Sequence, residues 1–367
     1  MSSRARKTIV HVVGARPNYM KIAPLMDVLK HAPGVRQLLV NTGQHYDEAM
    51  AGGFIRELAL PRPDRDLGVG SASHAVQTAN VMIGFEQVCL EEKPDLVVVV
   101  GDVNSTMAAT LVASKLLIPV AHVEAGLRSF DRAMPEEINR MVTDRLADIL
   151  LTPSADGDEN LLREGTPAER IHRVGNIMID TLFRHLPMAG VERVADRVRV
   201  EDRSYAVLTL HRPSNVDVRE TFTSILSAIA AIARDMPVVF PMHPRTQGRV
   251  KELGLSNLLK DVQITPPLGY IDFLSLTSHA KIVLTDSGGL QEESTALGIP
   301  CLTLRENTER PVTVTHGTNV VVGTDAANIL AGYRAAMLGK VPSRRPALWD
   351  GRTANRISTV LEKFLFE

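Results

Sequence analysis

Acidic side chains stand at three points in this chain where apolar sequence surrounds them. Asp102 lies in VVVVGDVNST, Glu124 in IPVAHVEAGLRSF, and Glu136 with Glu137 in MPEEINR. Taking a carboxylate out of water is costly unless it is paired or hydrogen-bonded. Acids just beyond apolar strands therefore need a reason, and proton transfer is one. Simpler roles compete at each position. Asp102 could cap the helix that starts at Asn104-Ser105-Thr106, and Glu124 could pair with Arg128. Pro135 suits a first helical position, so Glu136 and Glu137 are favourable by the helix dipole alone. His122 and Glu124 have the same parity on their strand and share a face.

A second group of residues suits an anion. TDSGGLQEE at 285–293 ends an apolar strand and opens a helix. Ser287 is placed to cap that helix, and the N–H groups of its first turn, at Gly288 and Gly289, can hold a diphosphate. Glu293, one to two turns further in, can accept both hydroxyls of a ribose. Capping and dipole compensation are the plainer explanation of the same pattern. GARPNYMK at 14–21 follows the first strand. There Gly14 permits a tight turn, Arg16 can grip phosphate as a fork, and Lys21 supplies a point charge. His211 in TLHRPSN can contact phosphate or protonate a leaving oxygen, and His243 in PMHPRT can contact phosphate. Arg305, Glu306, Thr308, Glu309 and Arg310 form a polar run that suits a cleft wall or a solvated loop.

Several chemistries are excluded by missing patterns. GxGxxG is not present after the first strand, nor is GxxxxGK[ST], which argues against a dinucleotide enzyme and a P-loop ATPase. The histidines lack zinc spacing, and no GxSxG marks a serine hydrolase. No cofactor or metal is expected.

The elements that must carry these residues alternate almost throughout. KTIVHVV, RQLLVN, DLVVVVG, PVAHVE, ILLTP and IHRVG predict six strands, with helices near 19–30, 47–58, 74–92, 105–117, 135–147 and 156–164. YAVLTL, PVVFPMH, VQITP, KIVLTD, PCLTL and TNVVVG predict six more, with helices near 217–234, 270–279, 289–298 and 325–338. Continuous Val, Ile and Leu runs indicate strands covered on both faces, hence parallel sheets with crossover helices. A chain of 367 residues suits two such domains, which would face each other across a cleft lined by strand carboxyl ends. Pro187, Gly190 and the charge-rich RVADRVRVEDR mark the boundary region. A formal net charge of −1 excludes polyelectrolyte binding to nucleic acid, and no run approaches the length of a membrane span. Cys89 and Cys301 lie apart in apolar surroundings and read as buried thiols of a reducing cytoplasm.

Taken together, GARPNYMKIAPL, NTGQHYDEAM, GDVNST, HVEAGLRSFDRAMPEEINR, TLHRPSN, PMHPRT, TDSGGLQEE and ENTERPVTVTHGTN closely resemble the non-hydrolysing UDP-N-acetylglucosamine 2-epimerase family. The likeness runs over nearly the whole chain. It implies an α/β fold of two doubly wound, Rossmann-like domains in the GT-B arrangement of nucleotide-sugar glycosyltransferases. Residues 1–175, joined by a returning helix at 349–367, would form the first, and 176–348 the nucleotide-binding second. The implied reaction is reversible conversion of UDP-N-acetylglucosamine to UDP-N-acetylmannosamine through 2-acetamidoglucal, without NAD or an essential metal. On this mapping Asp102, Glu124 and Glu136 are the catalytic carboxylates, with His211 also acting at the reacting end. Arg16, Lys21, Gln44, His211, His243, Ser287, Gly288, Gly289, Glu293 and Arg310 would bind the substrate. The resemblance also implies a homodimer.

Departures from the family pattern are informative. Many relatives carry Glu-Ala-Ile where this chain has Asn18-Tyr19-Met20, and an acid where it has Ser214. Ser73 stands where members activated by a second substrate molecule carry arginine, so activation is not expected here. SFDRAMPEEINR and PMHPRT also resemble the branch acting on a UDP-diacetamido uronic acid. A retaining glycosyltransferase is the remaining alternative, motivated by the shared two-domain form.

Overall fold

A computed structural model of the protein describes residues 6–43, 60–198, 200–341 and 344–367. The chain divides into two compact units, Met1–Thr181 with Ala347–Glu367, and Leu182–Pro346. The helix expected near 47–58 and the Gln44 site lie outside the described residues.

In the first unit every strand pair is parallel. The strands are β1 (Lys7–Val13), β2 (Val35–Asn41), β3 (Arg65–Asp66), β4 (Leu96–Val100), β5 (Val120–Val123), β6 (Ile149–Thr152) and β7 (Ile171–Arg173), in the spatial order 3-2-1-4-5-6-7. Six of these follow from Val, Ile and Leu runs. β3 does not, because its two residues are charged and exposed and carry no apolar signal. Val10, Val12, Val97 and Val99 pack beneath helices His74–Glu92 and Asn104–Lys115, through Phe85, Val88, Ala109 and Val112. At β1 and β4 the strand order reverses, and an open parallel sheet has its natural ligand crevice at such a point.

The second unit repeats the plan with β8 (Ala206–Thr209), β9 (Val238–Pro241), β10 (Gln263–Thr265), β11 (Ile282–Thr285), β12 (Cys301–Thr303) and β13 (Asn319–Val321), ordered 10-9-8-11-12-13. Alternation along β8 shows why both faces are apolar. Ala206 and Leu208 join one core with helices Arg219–Ile232 and Ala326–Met337, whereas Tyr205 and Val207 join another containing Leu276 and Leu290. The helix Pro244–Glu252 escapes a hydropathy reading because only Thr246 and Val250 are buried on it.

The division between units falls inside the helix Ile177–His185. Residues up to Thr181 belong with the first unit because Asp180 accepts the Thr353 and Ala354 amides at 3.1 and 2.7 Å, and the Thr181 hydroxyl binds the Met20 carbonyl. Those amides open the last helix, Thr353–Phe366, so Asp180 serves as its cap. Trp349, fully buried, donates its indole N–H to the Pro153 carbonyl at 3.0 Å and anchors the same segment. Cys89 and Cys301 are free and buried.

Candidate active site

In the first unit the candidate residues follow β1, β4 and β5. Asn18, buried in the first turn of helix Arg16–Leu29, ties two of these loops together. Its Oδ1 accepts the Gly14 and Ala15 amides at 3.2 and 3.0 Å, and its Nδ2 donates to the Val100 carbonyl at 3.1 Å. Gly14 is required by this close approach, since a Cβ there would fall 2.3 Å from Ser105 Oγ. Gly101 has φ +71, and a Cβ on it would lie 3.2 Å from Lys21 Nζ and 3.5 Å from Glu124 Oε2. The ammonium and the carboxylate thus meet beside Gly101, and they pair with each other.

Glu124 has φ +73, a conformation that costs an ordinary side chain roughly 1 kcal/mol. The strain is held by the neighbouring strand, because Leu151 O accepts both the Glu124 and Ala125 amides at 3.0 and 3.1 Å. The Glu124–Arg128 pair that the sequence allows does not form. Arg128 instead donates to Asp144 at 2.7 Å and to both oxygens of Glu164 at 2.8 and 2.7 Å. His122 shares Asp144, 2.6 Å from its Nδ1, and its Nε2 lies 2.8 Å from the Gly101 carbonyl. Burial would raise the Asp144 carboxyl, yet the His122 and Arg128 contacts hold it below the usual range. His122 is therefore a buttress under the Asp102 loop.

Asp102 is partly exposed and pairs with Arg140. The adjacent acids of PEEINR divide sharply. Glu136 is exposed at the start of helix Pro135–Leu146, whereas Glu137 is buried. Glu137 accepts from the Ser129 amide at 2.9 Å, the Ser129 hydroxyl at 2.8 Å, the Phe130 amide at 3.0 Å and Arg140 Nη1 at 2.6 Å. Arg16 is exposed at the opening of its helix.

The second unit gathers its residues around the end of β11. Asp286 is fully buried and accepts the His211 and Arg212 amides at 3.1 and 3.0 Å and Asn215 Nδ2 at 3.2 Å. Its other oxygen lies 2.7 Å from His211 Nδ1, so the exposed imidazole is oriented with Nε2 outward. Burial alone would raise Asp286, but His211 and these amides keep it below the ordinary carboxylate range. Asp286 is not among the residues the sequence motifs single out, although it follows an apolar strand just as Asp102 does.

Ser287 precedes helix Gly288–Leu297 but makes no side-chain cap, contrary to expectation. Its amide is instead held by Thr285 Oγ1 at 2.9 Å. Neither following glycine has a positive φ. A Cβ on Gly288 would come no nearer than 3.9 Å to Glu309, and one on Gly289 would meet no atom within 4 Å. The fold itself thus has no steric need for glycine at either position. Glu293 is buried, and burial pushes its carboxyl up to about 7 although Tyr270 OH donates to it at 3.4 Å. Arg310 Nε reaches Glu292 Oε1 at 2.7 Å. Behind it Arg305 grips Glu309 as a fork at 2.8 and 2.9 Å. Burial opposes ionisation of Glu309, but the arginine outweighs it and lowers the carboxyl to about 2. His243 caps the helix Pro244–Glu252, its Nδ1 accepting the Arg245 amide at 3.3 Å. Ser73, likewise, caps His74–Glu92.

Among the described residues no group of three or more His, Cys, Asp or Glu could hold a metal ion. No helix among them is long and apolar enough to cross a membrane.

Comparison with known proteins supplies an independent line. The family model described as UDP-N-acetylglucosamine 2-epimerase matches residues 27–362. The UDP-N-acetylglucosamine 2-epimerase of Methanocaldococcus jannaschii is 42% identical over 359 residues, covering 95% of this chain and 97% of that protein. Its crystal structure in complex with UDP-GlcNAc and UDP superposes with a TM-score of 0.86 at 41% identity, over 97% of this chain and 99% of that one. The UDP-2,3-diacetamido-2,3-dideoxy-D-glucuronate 2-epimerase of Pseudomonas aeruginosa is 37% identical, over 97% of this chain and 99% of that protein.

Proposed function

The chain belongs to the UDP-N-acetylglucosamine 2-epimerase family, of the non-hydrolysing type, and from that premise we propose how its residues interconvert UDP-N-acetylglucosamine and UDP-N-acetylmannosamine. H2 of the sugar is not acidic until positive character builds at C1, so departure of UDP accompanies or precedes its removal. The C1–O electron pair leaves with UDP, the C2–H pair becomes the C1=C2 bond of 2-acetamidoglucal, and the proton passes to a carboxylate. Return of UDP to C1 with a proton delivered to the opposite face of C2 gives the epimer. Inversion therefore needs a proton-exchanging group on each face.

Asp102 and Glu136 are assigned as those two groups. Glu124, pinned by Lys21, positions the sugar and steadies charge at C1. Ser287 and the amides of Gly288 and Gly289 take the diphosphate, Glu293 takes the ribose hydroxyls, and His211, aimed by Asp286, meets the leaving oxygen. Arg16, Arg310 and His243 add donors on the nucleotide side, as does Gln44. In the same reading the protein acts as a homodimer, which light scattering of the purified chain tests. The observation that carries the proposal is the convergence of Lys21 and Glu124 on Gly101, directly beside Asp102, at the point where the strand order reverses.

Incubation with UDP-N-acetylglucosamine in deuterated water tests it. UDP-N-acetylmannosamine carrying deuterium at C2 should form without NAD or an acceptor, and Asp102→Asn should suppress turnover while leaving UDP affinity intact. Folded protein that yields neither epimer nor exchange refutes the assignment. A parallel incubation with UDP-2,3-diacetamido-2,3-dideoxyglucuronate tests the substrate of the 37% identical relative.

A further inference from the structure

Glu137 has no part in the reaction as described, yet it is a buried and densely hydrogen-bonded carboxylate of the first unit. Its side chain is 1% exposed and it accepts four hydrogen bonds, three from Ser129 and Phe130 and one from Arg140. Burial works against its charge, but the Ser129, Phe130 and Arg140 contacts keep it ionised below the usual carboxylate range. The other terminal nitrogen of Arg140 holds Asp102 Oδ2. One buried guanidinium is thus shared by two carboxylates, one of them interior and one facing solvent. The neighbouring residue completes the attachment, since Asn139 Nδ2 donates to the Asp102 backbone carbonyl at 2.9 Å.

A carboxylate facing an arginine by itself makes a poor base. Glu309 illustrates this within the same chain, where the fork of Arg305, with Arg212 beyond it, draws the carboxyl to about 2. A second acid on the same guanidinium offsets that effect, because its charge opposes ionisation of the first. We propose that Glu137 and Arg140 form a positioning pair that fixes Asp102 in place and keeps it basic enough to exchange a proton with carbon. This rests on the assignment of Asp102 as a proton-exchanging group. Two other ion pairs stand close to Asp102. Lys21 is paired with Glu124, and His122, bound to the Gly101 carbonyl, is paired with Asp144. Glu136 is exposed at the solvent end of the same helix. Glu137 belongs to neither ion pair, so neutralising it leaves both partners of each in place and takes one negative charge from the guanidinium that Asp102 shares.

The test is Glu137→Gln, with Ser129→Ala as a control that removes a donor to Glu137 but no charge. In Glu137→Gln one limb of the pH profile of kcat/KM should move to lower pH by about one unit, the size expected for removing one like charge a guanidinium away from a partly exposed site. In Ser129→Ala both limbs should stay in place. Carbon-13 NMR of the Asp102 carboxyl, identified by its loss in Asp102→Asn, should report the same downward movement without requiring turnover. An unmoved Asp102 midpoint in folded Glu137→Gln, with only a lower melting temperature or a uniformly lower rate, would make Glu137 merely structural and overturn the pairing. Full deuterium exchange by Asp102→Asn would instead remove the underlying assignment.

Discussion

Replacing Gly289 by alanine should stabilise the protein and weaken its grip on UDP, two effects of opposite sign from one methyl group. Gly289 is the second residue of helix Gly288–Leu297, its φ is not in the left-handed region, and an added Cβ meets nothing within 4 Å. Alanine therefore enters without a clash and reduces the entropy lost on folding. In a first turn this should contribute about 0.5 kcal/mol, or a rise in Tm of roughly 1–2 °C for a unit of this size. Nucleotide binding should respond the other way. A methyl standing where diphosphate meets the helix start would push the phosphate off one or two amides, each charge-assisted hydrogen bond being worth about 1.5–3 kcal/mol. A loss of about 3 kcal/mol corresponds to roughly a hundredfold weaker Kd. Thermal melting and titration calorimetry with UDP read the two effects separately. Gly248→Ala is a matched control, since it lies within helix Pro244–Glu252 and its Cβ also meets nothing. It should stabilise without altering UDP affinity. Unchanged UDP affinity in Gly289→Ala, within about twofold, would refute the placement of the diphosphate over this helix start.

Further outcomes follow from three residues whose ionisable groups are largely buried or pair with a buried group. Glu293 holds its proton to about pH 7 when folded, against an ordinary value of 4.5, so its contribution to stability is fully present below 4.5 and is lost as pH rises through 7. Glu293→Gln should flatten that decline in melting curves taken across this window; a variant that tracks the wild type at every pH would contradict it. Asp286→Asn removes the anchor of His211 and should lower kcat by about 10- to 100-fold, the value of one charge-assisted hydrogen bond, in the epimer assay. Asp286 is held below its ordinary carboxylate range, so the wild type loses its contribution as pH falls through that lowered midpoint, and Asp286→Asn should show a shallower acid-side loss in the same melts. Lys21→Met leaves the largely buried Glu124 without its ammonium and should cost about 3–5 kcal/mol in denaturant unfolding, with turnover lost as well. A neutral result there would mean that the pair is hydrated and does not position Glu124.

Much of this arrangement is legible in the residues alone. Runs such as LVVVV at 96–100 admit little besides strands covered on both faces, and parallel sheets with helical crossovers follow. TDSGG after such a run marks a helix start open to an anion, and Asp102 is visible as an acid at the end of apolar sequence. What sequence could not assign is partnership. Glu124 pairs with Lys21, 103 positions away, and not with nearby Arg128, because β4 lies beside both β1 and β5 in the sheet and brings the loops that follow them together. Glu136 and Glu137 are chemically identical neighbours, yet successive helical residues point in directions about 100° apart, and only the packed loop at Ser129 and Phe130 decides which one is interior. Local pattern determines which face of an element is apolar. The partner a buried charge acquires depends on which chain segments the completed sheet brings within a few ångströms, and that is a property of the tertiary structure.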